Sequence, residues 1–120
     1  MRAGQDLPDE VTVIVRGGEL DRGLLRQDAD RNHAIYGTYG LSVFAVEGIT
    51  LDELAQQAPL VRFERLTLMT VGAIRAAGLR LEPTGRNPRH YDICFEELEP
   101  GITRLLICEY TVWANLYHEP

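Results

Sequence analysis

The chain has 120 residues, 18 acidic and 12 basic, with a formal charge of −6 and an isoelectric point near 5.0. That length suits one domain with a real core, and an apolar fraction of 45% beside a charged fraction of 25% excludes wholesale disorder. The acidic balance argues against nonspecific binding to a nucleic-acid backbone, and no apolar run approaches the roughly 20 residues that span a bilayer.

Residues 1–10 are polar with Pro8 and read as a flexible N-terminal arm ahead of a single domain over 11–120. No apolar stretch follows Met1-Arg2-Ala3, so no secretory signal is expected and the protein is expected to be cytoplasmic. Val11 to Val15 is β-branched throughout and predicts a buried strand, broken by Gly17-Gly18. Leu20, Leu24 and Leu25 recur at helical spacing and predict a helix over about 20–33, stopped near Gly37. Leu41 to Val46 predicts a second strand. Thr50-Leu51-Asp52-Glu53 fits a capping box opening a short helix that must stop before Pro59.

Between Val61 and Met69 the apolar positions change parity, from Val61 and Phe63 to Leu66 and Leu68, which predicts a bulged strand or two short ones. Thr70 can cap a helix over 71–77 that ends at Gly78. Leu79-Arg80-Leu81, a turn over 83–88 and His90 to Phe95 predict a β-hairpin. Ile102, Leu105 and Leu106 fit a helical stripe, but β-branched content leaves helix and strand both open for 102–113. The order β-α-β-α-β-α-β-β-α implies an α/β or α+β domain, a mixed β-sheet packed with about three to four helices.

Cys94 and Cys108 are too few and too far apart for a disulfide framework or a zinc site, and are expected to be reduced core thiols. All 12 basic residues are arginine. His33, His90 and His118 match no metal-ligand spacing, so no metal is expected.

Three clusters can carry chemistry. Arg16-Gly17-Gly18 at a strand end either forms a plain turn or lets a ligand approach the backbone while the guanidinium holds a phosphate or carboxylate. Arg31-Asn32-His33, with Tyr36, Tyr39 and Ser42, places His33 and Tyr36 on one helical face, where an imidazole can move a proton and a tyrosine can stack on a base. Arg86-Asn87-Pro88-Arg89-His90-Tyr91-Asp92 is the densest polar stretch. Arg86 and Arg89 suit a phosphate and His90 suits proton transfer, although strand alternation sends His90 and Asp92 to one face and Arg89 and Tyr91 to the other.

Val15-Arg16-Gly17-Gly18, Tyr39-Gly40-Leu41-Ser42-Val43-Phe44, Thr70 to Leu79 and Arg89-His90-Tyr91-Asp92 together resemble a family of small actinobacterial proteins over almost the full length. Members stand in two-gene cassettes beside a shorter acidic partner, an arrangement similar to toxin–antitoxin modules. The resemblance implies a toxin-like protein with a small partner encoded nearby. A weaker likeness to ADP-ribosyltransferase-like toxins implies NAD as co-substrate, with Arg16 and Ser42 in two of that family's places and Glu97, Glu99 or Glu109 in the third, though a Ser-Thr-Ser element is lacking. The helix over 71–77, Gly78 and the hairpin carrying His90 look similar to small RNase toxins, whose Gly-Ser-His motif is absent.

The expected function is therefore a toxin-like component acting on RNA or a nucleotide phosphate. Arg16, Arg86 and Arg89 would bind phosphate, His33 or His90 would transfer the proton, and Tyr36 or Tyr91 would stack on a base. The alternative is a non-catalytic binding or assembly module, a homo-oligomer included, in which the strand over 61–69 pairs with a second chain. Convergence of Arg16, His33 and His90 on one hollow would favour the enzyme, and scattered positions the binding module.

Overall fold

Val13 and Val15 on one side of the first strand and Ile14 on the other make it apolar on both faces, and all three are buried. The structure, a computed structural model, describes residues 7–18, 20–84 and 86–119. Six strands form one sheet: β1 (Thr12–Gly17), β2 (Tyr39–Ala45), β3 (Arg65–Thr70), β4 (Arg80–Pro83), β5 (His90–Phe95) and β6 (Thr111–Ala114), in the spatial order β4-β5-β2-β1-β3-β6. Helices α1 (Arg22–Tyr36), α2 (Leu51–Ala55), α3 (Val71–Ala76) and α4 (Leu98–Leu106) and a 3-10 turn at Leu60–Arg62 complete the α+β domain.

The larger core lies under α1, α3 and α4. There Val13, Val15, Val43, Tyr91 and Ile93 of the sheet meet Leu25, Ala29, Ile74, Ile102 and Leu105. A smaller core covers the opposite face of the β1–β3–β6 half, where Ile14 and Leu66 pack on Leu54, Ala55 and Leu60, with Trp113 at the margin. The same face of the β2–β5–β4 half carries Ser42, Arg80, Glu82, His90 and Cys94, which are exposed or half-buried. An antiparallel sheet tolerates this, since one face can stay wet.

The local stop and start signals act as expected. Gly37 closes α1 at φ 81°. Thr50 and Glu53 form the reciprocal capping box of α2, and the Thr70 hydroxyl accepts from the Ala73 amide at 3.1 Å to open α3. Gly78 follows α3 at φ 82°, and β4 pairs β5 as the expected hairpin.

Four expectations are corrected. Every strand pairing is antiparallel, so the sheet is not mixed. Apolar pattern records that a helix intervenes but not to which end of the sheet it returns the chain. Here α1 delivers Tyr39 beyond the Ile14–Phe44 pairing, at the end where β1 finishes, so β2 runs back alongside. The region 102–113 holds both a helix end and a strand, which adds β6 to the predicted order. The parity change after Phe63 marks a change of element: Leu60–Arg62 is a 3-10 turn and β3 is regular, with neighbours on both sides, so it is not a free edge. The bulge lies in β1 instead, where Val15 is the extra residue between the Ile14–Leu68 and Arg16–Thr67 pairs.

The fourth correction concerns the expected arm. Residues 1–6 lie outside the described residues, but 7–10 are tied down. Leu7 is fully buried, its carbonyl accepts from Arg75 Nη1 at 2.6 Å, and Asp9 Oδ1 lies 3.0 Å from the same nitrogen.

Candidate functional site

β1 and β2 pair at only two residue couples, Val13–Ala45 and Ile14–Phe44. Beyond them β1 follows β3 and β2 follows β5, so the sheet splits. The Ala45 amide donates to Arg89 O and the Val46 amide to Thr12 O, both at 2.8 Å, which sets odd β2 residues toward β5 and even ones toward β1. By that alternation the peptide groups of Gly40 and Ser42 face the split, where β1 no longer reaches them.

The split opens a cavity of about 350 Å³, within the range of small-molecule sites. Its polar lining is Arg16, Asp28, Arg31, Asn32 and Ser42, and its apolar walls include Ile35, Phe44, Pro59 and Phe63. Among the described residues two guanidiniums face one carboxylate there, a lining of net positive charge in an acidic protein.

The β1 bulge puts Arg16 there. In regular register Arg16 would oppose Leu66 and share the face of Ile14; the extra residue sets it against Thr67, toward α1. Its Nη1 then lies 3.2 Å from Asp28 Oδ2 and its Nε donates to Gly17 O at 3.2 Å. Asp28 Oδ1 is 4.0 Å from Arg31 Nη1. Two glycines make the room. The Phe63 ring lies over Gly17, in the space a β-carbon would take, and Asn32 Nδ2 lies 2.7 Å from where a β-carbon on Gly40 would stand.

Of the sequence-predicted residues, Arg16 and Ser42 meet in this cleft, and His33, Tyr36, His90, Arg86, Arg89 and Tyr91 do not line it. His33 stacks on Tyr39 at 4.3 Å between ring centroids, at the far end of α1, and the neighbouring Tyr36 is 72% exposed. His90 sits on the open face. Its Nδ1 is 2.7 Å from Thr84 Oγ1, and its ring meets Phe44 edge-on at 5.2 Å. Thr84 and Ser42 both donate to Asp92 Oδ1, at 3.3 and 3.5 Å, so a polar row runs from His90 to the cleft margin. Arg86 is exposed beside the hairpin turn, and Arg89 donates to Gly48 O at 3.3 Å. Tyr91 is 1% exposed in the larger core, so neither ring face is open to a base.

The carboxylates considered for a third position are also elsewhere. Glu99 joins α1 to α4 through Arg26 and Arg22, and the hydrogen bond from Arg26 holds its carboxyl below the usual range. Glu97 precedes α4 and Glu109 precedes β6. Asp28 and Ile35 were missed by sequence reasoning. Their signal is the α1 stripe Leu25, Asp28, Asn32, Ile35, spaced three and four apart, in which polar residues interrupt an apolar face.

Among the described residues no three His, Cys, Asp or Glu side chains group as metal ligands, and no helix is long and apolar enough to cross a membrane. Both cysteines are free thiols. Burial, with Asp92 and Glu82 nearby, pushes Cys94 up to about 11 from an ordinary 9.0. Its alkylation by iodoacetamide is therefore expected to be slow at pH 8 and to accelerate as the pH approaches 11, as followed by mass spectrometry. Because the folded state favours the protonated thiol, the stabilisation from this group is complete below 9.0 and lost as the pH rises through about 11.

Comparison with known protein families, with characterised proteins and with solved structures finds no match to the chain.

Proposed function

We propose that the cleft between β1 and β2 binds a phosphate-bearing ligand of the nucleotide class, and that the chain is the toxin-like member of a two-gene cassette acting on such a phosphate. The observation that carries the ligand is the meeting of Arg16 and Ser42, from separate strands, with Arg31 in one cationic hollow walled by Phe44 and Phe63. Guanidiniums recognise phosphate by charge-assisted hydrogen bonds, and the aromatic walls suit a base. Asp28 holds Arg16 in place before a ligand arrives, which lowers the ordering cost of binding. The toxin-like role rests on the sequence resemblance.

No imidazole lines the cleft, so Arg16, His33 and His90 do not converge on one hollow, which supports ligand binding there and not proton transfer by His33 or His90. One observation favours an NAD-using, ADP-ribosyltransferase-like reading: Arg16 and Ser42, the two residues that likeness assigns, share the hollow. Among the described residues the cleft holds no glutamate for the third position, and the carboxylate that lines it is Asp28.

Titration calorimetry with ADP, NAD and inorganic phosphate tests the reading. Binding of at least one is expected, and Arg16→Gln should weaken it at least about ten-fold, the worth of a hydrogen bond to a charged group. Expression of the chain alone should slow bacterial growth, and Arg16→Gln should restore it. Absence of binding by all three ligands overturns the assignment of the cleft.

A further inference from the structure

The sheet ends in two unlike edges. On β4, Arg80 and Glu82 are exposed and Pro83 offers no amide, which discourages another strand from adding there. On β6, Thr111-Val112-Trp113-Ala114 has neither charge nor proline, and Tyr110 to Tyr117 is uncharged throughout. The Asn115 amide donates to Glu64 O at 2.8 Å, which turns Asn115, Trp113 and Thr111 toward β3. By alternation the peptide groups of Tyr110, Val112 and Ala114 point outward, where no strand among the described residues follows β6. Tyr110 and Val112 are 47% and 44% exposed, and Leu116 just beyond is 87% exposed.

We propose that β6 pairs with β6 of a second copy of this chain, antiparallel about a two-fold axis at Val112, joining two sheets into one. The strand's own order argues for a second copy. In the register centred on Val112, bulky Tyr110 faces small Ala114 of the other copy, Val112 faces Val112, and every outward peptide group of the strand finds a partner. Thr111 faces Trp113 in the same register, and Glu109 falls opposite the neutral Asn115. A pair of chains each carrying −6 must avoid setting like charges together, and this uncharged stretch does so. The contact is isologous, as a two-fold requires.

Sedimentation or light scattering of the full chain is expected to give the mass of a dimer. Val112→Pro removes an amide that points away from β3, so it should leave the fold intact by circular dichroism and give a monomer. Should that variant fail to fold, Val112→Cys decides: the two α-carbons of such a pair stand about 5.5 Å apart, within reach of a disulfide, so mild oxidation should yield a covalent dimer. A wild-type chain that stays monomeric at the highest concentration reached overturns the proposal. So does a folded Val112→Pro dimer, or a Val112→Cys chain that does not cross-link. None of these outcomes depends on what the cleft binds.

Discussion

Asn115→Ala is expected to lower the melting temperature by roughly 10 °C, measured by thermal circular dichroism. Asn115 is 5% exposed, and its side chain makes three hydrogen bonds. Nδ2 donates to Ala55 O and Leu60 O, both at 3.2 Å, and Oδ1 accepts from the Tyr117 amide at 3.1 Å. One residue therefore ends α2, fixes the 3-10 turn and anchors the segment after β6. At about 1 kcal/mol for each bond, truncation costs about 3 kcal/mol, and a domain of this size loses roughly 4 °C for each kcal/mol. The Ala55 carbonyl, stranded beside the smaller core, pushes the loss upward, since a buried acceptor without a donor keeps its desolvation cost, whereas Leu60 O keeps the Phe63 amide as a donor. Asn115→Asp should be as damaging, because a carboxylate cannot donate to either carbonyl. A fall of only a degree or two would show that α2 is held by its apolar contacts alone.

Gly17→Val is expected to act on both fold and site. A β-carbon at position 17 would stand within the ring of Phe63, and the backbone there is paired to β3, so the ring must leave. Displacing a packed aromatic costs about 1–3 kcal/mol. It also removes one wall of the cleft, so the affinity for the nucleotide-class ligand should fall alongside the stability. Denaturant unfolding and calorimetry on the same sample measure the two losses. Gly17→Val with undiminished binding would mean that Phe63 does not shape the site.

Much of the fold was legible because it is written locally. The Thr50–Glu53 box, the Thr70 cap, and Gly37 and Gly78 in left-handed conformations each act within a few residues, so single residue types announce them. The alternation in β5 is equally local, and it separated His90 and Asp92 from Tyr91 as the structure does, while Arg89 lies in the turn before the strand. Strand direction was not legible, because it depends on the path of α1 over the sheet. Thr111 to Ala114 was hidden for another reason: so short a strand gains its order from pairing with Leu66 and its neighbours, not from its own pattern.

The site was half legible for the same reason. Arg16 stood out as an arginine before two glycines at a strand end and Ser42 as part of the cluster that begins at Arg31, and both reach the cleft. The histidines stood out by chemical type alone, and type carries no information about which face a residue takes. The turn of Arg16 toward Asp28 depends on one extra residue in β1, a register effect between distant segments that no short motif reports.

The two-couple seam between β1 and β2 also bears on the mechanics of the molecule. A sheet resists bending through its ladders of hydrogen bonds, and here the ladder is shortest at the middle. The halves β4–β5–β2 and β1–β3–β6 can thus rotate about that seam at smaller cost than about any other line in the sheet. Helix α1 straps across it, gripping β1 through Asp28 and resting on β2 through Asn32. The width of the opening and the seating of this one helix are therefore a single degree of freedom, and whatever settles in the gap also sets the angle between the halves.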